Sequence, residues 1–243
     1  MNSHEKKGLL SDVDVDGIVK KSIRQQMGKD VPKITEGLNE SYVAEPKTFK
    51  QVTEFLSQKA KGAHVELYKG YVESSNKTSS ELDTVERNEV NSRHSAFRSL
   101  KLDEAYNLNA VWLHELFFSN CFDPHSEIAM DSNAYLRLQR DFGTFDDWQK
   151  DFMACAMSAG NGWAICGYNL YLRKFVNTFV SHHSGDVMMG LFPLVVVDMW
   201  EHAYERDYLN DKKSYLVAVM REFNWNVIED RFNRAEKLAQ AVK

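Results

Sequence analysis

Asp198 and His202 stand four residues apart in Asp198-Met199-Trp200-Glu201-His202-Ala203-Tyr204, directly after the apolar run Leu191-Phe192-Pro193-Leu194-Val195-Val196-Val197. A carboxylate and an imidazole at that spacing converge on one metal ion if the chain turns tightly or starts a helix between them. The same spacing also fits a helix with an exposed acid and a histidine at the edge of the core. A short buried strand delivers this pair, and two aromatics and a second carboxylate flank it. That context favours a metal site.

The elements that must position such a site follow from hydrophobic periodicity. Phe49, Val52, Phe55, Leu56, Ala60, Ala63, Leu67 and Tyr71 keep helical spacing and predict a helix over 47–76. Gly62 and Gly70 weaken that helix without breaking it. Residues 77–103 read as a loop plus a short helix. Ala105, Leu108, Val111, Trp112 and Phe118 define a second helix over 104–121. A third is expected over 142–159, with Thr144 as N-cap and Gly160-Asn161-Gly162 ending it. Strands are predicted at 163–171, 174–181 and 193–197, and closing helices at 210–218 and 219–241. Helices, then a few strands, then helices make the class α+β. The expected organisation is an N-terminal extension (1–46), a helical hairpin domain (47–125) and a mixed domain with a small three-stranded antiparallel sheet (126–243).

Asp-x-Trp-Glu-His-x-Tyr after an apolar strand resembles the C-terminal signature of the iron/manganese superoxide dismutases. The likeness runs from residue 47 to the end of the chain. It implies one iron or manganese ion per subunit, a nitrogen and oxygen donor set that suits a redox-capable first-row metal. It also implies conversion of superoxide to dioxygen and hydrogen peroxide in a two-step electron cycle. Asp198 and His202 are then two of four ligands. The stretch from Ala110 to Asn120 is similar to the family helix whose ligand histidine, here His114, precedes aromatics lining the metal cavity. Taken alone, a histidine on an aromatic helix face is more often a satisfied core residue.

The fourth ligand of the family lies eight residues before a Tyr-Val pair that guards the substrate funnel. Tyr71-Val72 is present, but Ala63 stands at that distance and His64 one residue nearer. A one-residue slip rotates a helical position by about 100°. Seven residues are nearly two turns, which puts His64 and Tyr71 on one face. His64 is therefore the expected ligand, with the local register shifted. The competitors His94, His125 and the pair His182-His183 are expected in solvent-exposed loops. The resemblance further implies that Tyr71 gates the funnel and relays protons, and that Trp163, Trp200 and Phe118 dry the pocket. Glu201 would accept from His202 of the partner subunit, making a homodimer part of the site.

Several positions depart from the family pattern. Its members carry a glutamine that hydrogen-bonds metal-bound solvent, four residues before the helix histidine or just before the Gly-x-Gly-Trp turn. Ala110 and Ala159 occupy those places, and Asn161 is the expected substitute. Four residues after the first ligand a histidine usually meets a tyrosine of the other subunit. Here the pair is Tyr68 and Glu205, and a rebuilt intersubunit bridge between them is expected. Weakened activity is one consequence. The alternative is a structural subunit with the dismutase fold inside a larger assembly, of the virion or mitochondrial-ribosome kind, attached through residues 1–46.

Bulk properties narrow the partners. The chain has 243 residues and a formal net charge of −5, which argues against a nucleic-acid surface. Cys121, Cys155 and Cys166 have no paired spacing and read as reduced thiols. No run of about eighteen apolar residues is present, so no membrane span is expected. The N-terminal stretch lacks an apolar h-region. A cytoplasmic or processed organellar or virion-associated protein is predicted, not a secreted one.

Overall fold

The computed structural model describes residues 43–121 and 123–241, all within one compact unit. Ala60, His64, Tyr68, Val72, Ser75, Thr78 and Leu82 are the buried positions of the first helix, α1 (Gln58–Thr84). They recur every three or four residues, so one face turns inward. Ser57 starts α1 by accepting from the backbone N of Ala60 on its hydroxyl. The preceding residues 47–56, expected as helix, are irregular chain. Their apolar spacing reflects burial of Phe55 and Leu56. Thr53 Oγ1 and Glu54 N both bind the Glu222 carboxylate and pin this segment down. At the other end α1 runs on through 77–84, expected as loop. Of the expected extension, residues 1–42 lie outside the described residues; Ala44 is fixed by reciprocal bonds to the Asn76 side chain.

The second helix, α2 (Ala96–Asn120), is capped by Ser95 and returns antiparallel to α1. His64 meets His114 and Phe118 across this hairpin, and Thr78 meets Asn107. The helix begins eight residues before the expected 104 because its first two turns are mostly exposed and carry no apolar stripe to betray them. A short helix, α3 (Asn133–Phe142), escapes prediction for the same reason, since only Ala134 and Leu138 are buried. Gly143, at φ 94°, ends it. Thr144 then caps α4 (Phe145–Ser158) as expected, accepting from Asp147 N.

Three antiparallel strands follow, β1 (Gly162–Asn169), β2 (Lys174–Ser181) and β3 (Leu191–Asp198), in the order β2-β1-β3. All eight residues of β1 are buried, so helices cover both sides of the central strand. Gly162 opens β1 because a side chain there would bring Cβ to 2.2 Å from the Val180 carbonyl. Trp163 lies opposite Val180 on one side and Asp198 on the other. Pro193, which has no N–H to give, sits on edge strand β3 at a register shift beside Cys166 and Gly167. The chain closes with α5 (Glu201–Tyr208), α6 (Lys212–Arg221) and α7 (Trp225–Ala241). The last two are parted not at 218 but at Phe223, which bridges to Cys121. Seven helices and one three-stranded antiparallel sheet among the described residues make the fold α+β.

Arg231 locks the two halves together. Its guanidinium is buried and donates to Asn120 Oδ1 and Leu194 O, each at 2.8 Å, to Leu116 O at 3.0 Å, and to Ser119 Oγ. These acceptors belong to the end of α2 and to β3, where exposed helix carbonyls favour a cation.

Candidate metal centre

His64 comes from α1, His114 from α2, Asp198 from the last position of β3 and His202 from the first turn of α5. One donor atom from each lies within 4.8 Å of all the others. Both carboxylate oxygens of Asp198 are placed. Oδ1 accepts from Trp200 N at 2.9 Å, and Oδ2 lies 3.1 Å from His64 Nε2, 3.0 Å from His202 Nε2 and 3.8 Å from His114 Nε2. Tyr215 holds the Asp198 backbone carbonyl with its hydroxyl at 2.9 Å. Ala63 is exposed while His64 is buried, so α1 presents the histidine predicted from its seven-residue distance to Tyr71.

Protonation states follow from these partners. His114 Nδ1 lies 2.7 Å from the Ala110 carbonyl, which can only accept, so the proton sits on Nδ1. Nε2 then carries a lone pair. It is buried, has no hydrogen-bond partner among the described residues, and faces another acceptor, Asp198 Oδ2. Burial, together with His64, holds the His114 pKa well below 6.5, so the ring stays neutral. Burial also lowers the His64 pKa, with Asp198 acting against it. For Asp198 burial opposes ionisation, but the attraction and hydrogen bonds of His202 and His64 win, and its carboxyl falls far below the usual range. Two acceptors facing each other in a dry site are unfavourable unless a cation lies between them. The donor set thus fits a metal ion.

Tyr71 stands beside the cluster, its ring 5.4 Å from that of His114. Its hydroxyl is 2.9 Å from His183 Nε2, while His183 Nδ1 accepts from the Trp163 indole N–H at 2.9 Å. The indole can only donate, so the His183 proton is on Nε2 and points at Tyr71 oxygen. The tyrosine hydrogen is not used by His183 and is available to another acceptor, the hydrogen-bonding Tyr106 hydroxyl among them. Burial first lowers His183 to about 4, and burial first raises Tyr71, helped by Tyr106 and Asp198.

His183 is the residue that sequence reasoning misplaces. Rather than a solvent-exposed loop histidine it is fully buried, because the turn after β2 folds back through paired bonds between Ser181 and Gly185 and tucks it under Trp200. His94, His125 and His182 are exposed, as expected. Asn161, the expected substitute for the missing glutamine, is exposed and offers only its backbone carbonyl, to His182 N. Ala110 and Ala159 are buried and apolar. Trp163 and Phe118 wall the cluster, and Trp200, partly buried, stacks against both His183 and His202.

The expected Tyr68–Glu205 bridge is not available. Tyr68 is fully buried, its hydroxyl donating to Glu115 Oε1 and accepting from Lys47 N, both at 3.0 Å. That hydroxyl is spent inside its own subunit. Glu205 is exposed in an open cleft of about 530 Å³ that Glu201, His64 and His202 also line.

The comparisons agree with this geometry. A family model described as the iron/manganese superoxide dismutases, C-terminal domain, matches residues 131–231. Superoxide dismutase [Fe] of Aquifex pyrophilus is 34% identical over 179 residues, covering 72% of this chain and 83% of the relative. The same enzyme of Aquifex aeolicus is 33% identical over the same shares. Superoxide dismutase [Mn] of Corynebacterium diphtheriae is 32% identical over 140 residues, 57% of this chain and 70% of the relative. The chain belongs to the iron/manganese superoxide dismutase family. No helix among the described residues is long and apolar enough to cross a membrane.

Proposed function

We propose that this protein is a superoxide dismutase whose single iron or manganese ion is held by His64, His114, Asp198 and His202. The observation that carries the reading is the unprotonated, unpartnered Nε2 of His114 facing Asp198 Oδ2 at 3.8 Å. The ion, when bound, supplies the one-electron acceptor and donor needed to turn superoxide into dioxygen and hydrogen peroxide.

The chain supplies the rest. The Ala110 carbonyl fixes the His114 tautomer and the Trp200 amide fixes the Asp198 rotamer, the kind of support that keeps ligands aimed. Tyr71 and His183 hold a proton at the edge of the site, the tyrosine hydrogen being the one that His183 does not engage and that can turn toward a reacting oxygen. Trp163, Phe117 and Phe118 exclude bulk water. Glu201 is exposed beside His202 and has no hydrogen bond or ion pair among the described residues, which suits pairing with His202 of the partner subunit in a homodimer. A cytoplasmic or processed organellar setting fits this activity.

Elemental analysis and superoxide consumption on the purified full-length chain test the reading. Stoichiometric iron or manganese with rapid turnover is expected. Stoichiometric metal without turnover would reduce the ion to a structural staple, and absence of metal would leave a scaffold.

A further inference from the structure

The far end of β1 carries a second polar site. Tyr168 lies five residues beyond Trp163, roughly 17 Å along the strand from the metal centre. It is 3% exposed and its ring packs on Phe175 and Phe232, yet its hydroxyl makes no hydrogen bond among the described residues. Tyr168 forms part of the wall of an open cavity of about 340 Å³ with Arg137 and Arg140 of α3, Arg173 of the β1–β2 turn, and Glu236 and Gln240 of α7. That volume lies within the range of small-ligand pockets.

The charges there are unevenly used. Glu236, the one carboxylate on the wall, is paired with Arg137. Asp141 behind it takes Arg140 Nε at 2.6 Å and the Phe175 amide at 2.8 Å. Arg173 has no side-chain hydrogen bond or ion pair among the described residues. Its backbone is held in the left-handed region, φ 54°, by a closed turn in which Arg173 N donates to Asn169 O at 2.7 Å and Asn169 Oδ1 accepts from Tyr171 N and Leu172 N. A non-glycine residue at such φ is uncommon, so the guanidinium is presented from a rigid and mildly strained platform. Arg137 and Arg140 each keep free N–H donors, because a guanidinium has five. Their donors, those of Arg173 and the tyrosine hydroxyl exceed what the two oxygens of a carboxylate accept. A tetrahedral oxyanion matches them better, and arginine forks suit its geometry.

We infer that Arg137, Arg140, Arg173 and Tyr168 form a binding site for a phosphate-class oxyanion, either free phosphate or the phosphate group of a small molecule. The site is separate from the metal centre and does not depend on the dismutase reading.

Titration of the metal-loaded protein with inorganic phosphate, and in parallel with phenyl phosphate, by calorimetry at constant ionic strength tests the inference. Saturable binding at one phosphate per chain is expected. Arg173→Asn removes the charge with a residue that tolerates left-handed φ, and Tyr168→Phe removes only the hydroxyl. Each should weaken binding about tenfold or more, with superoxide consumption unchanged. Tighter binding of phenyl phosphate than of phosphate marks a phosphorylated small molecule as the ligand, and the reverse marks the free ion. Absence of saturable binding, or equal affinity in wild type and Arg173→Asn, overturns the assignment. The exposed Arg173 makes loss of fold in that variant no explanation for lost binding.

Discussion

Trp163 donates its indole N–H to His183 Nδ1 at 2.9 Å, and this one bond decides which ring nitrogen carries the proton that faces Tyr71. A tryptophan on the central strand thereby sets the direction of a hydrogen-bond chain ending beside the proposed metal ligands. His183→Ala should cut superoxide turnover about 10- to 100-fold at unchanged metal content. It also leaves the buried Trp163 N–H unpaired, at a cost of about 1–3 kcal/mol. Stopped-flow turnover and urea unfolding of the metal-loaded variant measure both effects. Wild-type turnover would remove His183 and Tyr71 from the proton path.

The same histidine gives a pH dependence of definite sign. Burial lowers its pKa from 6.5 to about 4, so the folded protein holds it neutral while the unfolded chain takes up a proton below 6.5. Its share of stability is complete above pH 6.5 and is lost as the pH falls toward 4, by about 3 kcal/mol in all. Urea unfolding of wild type and His183→Gln across that window isolates the share. Parallel curves would show that His183 does not titrate in this way.

Ligand identity can be read from metal content. His64→Ala, His114→Ala and Asp198→Asn should each lose most of the bound iron or manganese. His94→Ala, in an exposed loop, should keep it. Elemental analysis after gel filtration distinguishes them, and full retention of metal in His64→Ala would return the fourth position to another donor.

Arg231 makes a prediction about stability alone. Replacing it with Ala removes the guanidinium donors from Leu194 O and Leu116 O, leaves Asn120 Oδ1 only the Val196 amide, and should cost about 3–5 kcal/mol. Lysine restores the charge but not the fork, and should recover only part of the loss. The denaturant midpoints of the two variants test this. A lysine variant as stable as wild type would mean that the charge at the end of α2 matters and the forked geometry does not.

Much of the site was legible because its signals are local. Asp198 and His202 share a motif fed by a strand that burial requires, and helical phase, added to the family's Tyr-Val landmark, puts His64 rather than Ala63 on the Tyr71 face. Strand positions were close for a similar reason, since β1 is buried at every residue and β2 ends at a turn. The helix starts at 58 and 96 depend instead on Ser57 and Ser95 caps ahead of turns without an apolar stripe. His183 depends on a turn that reverses after β2, which no periodicity encodes. The Tyr68 partner escapes sequence reading because Glu115 lies on another helix 47 residues away.

The four donors of the proposed metal site are spread from the first described helix to the start of the fifth. A growing polypeptide therefore cannot complete that cluster until residue 202 has been synthesised and β3 has docked beside β1. On the proposed reading, loading of the ion is in that sense a late event in biogenesis.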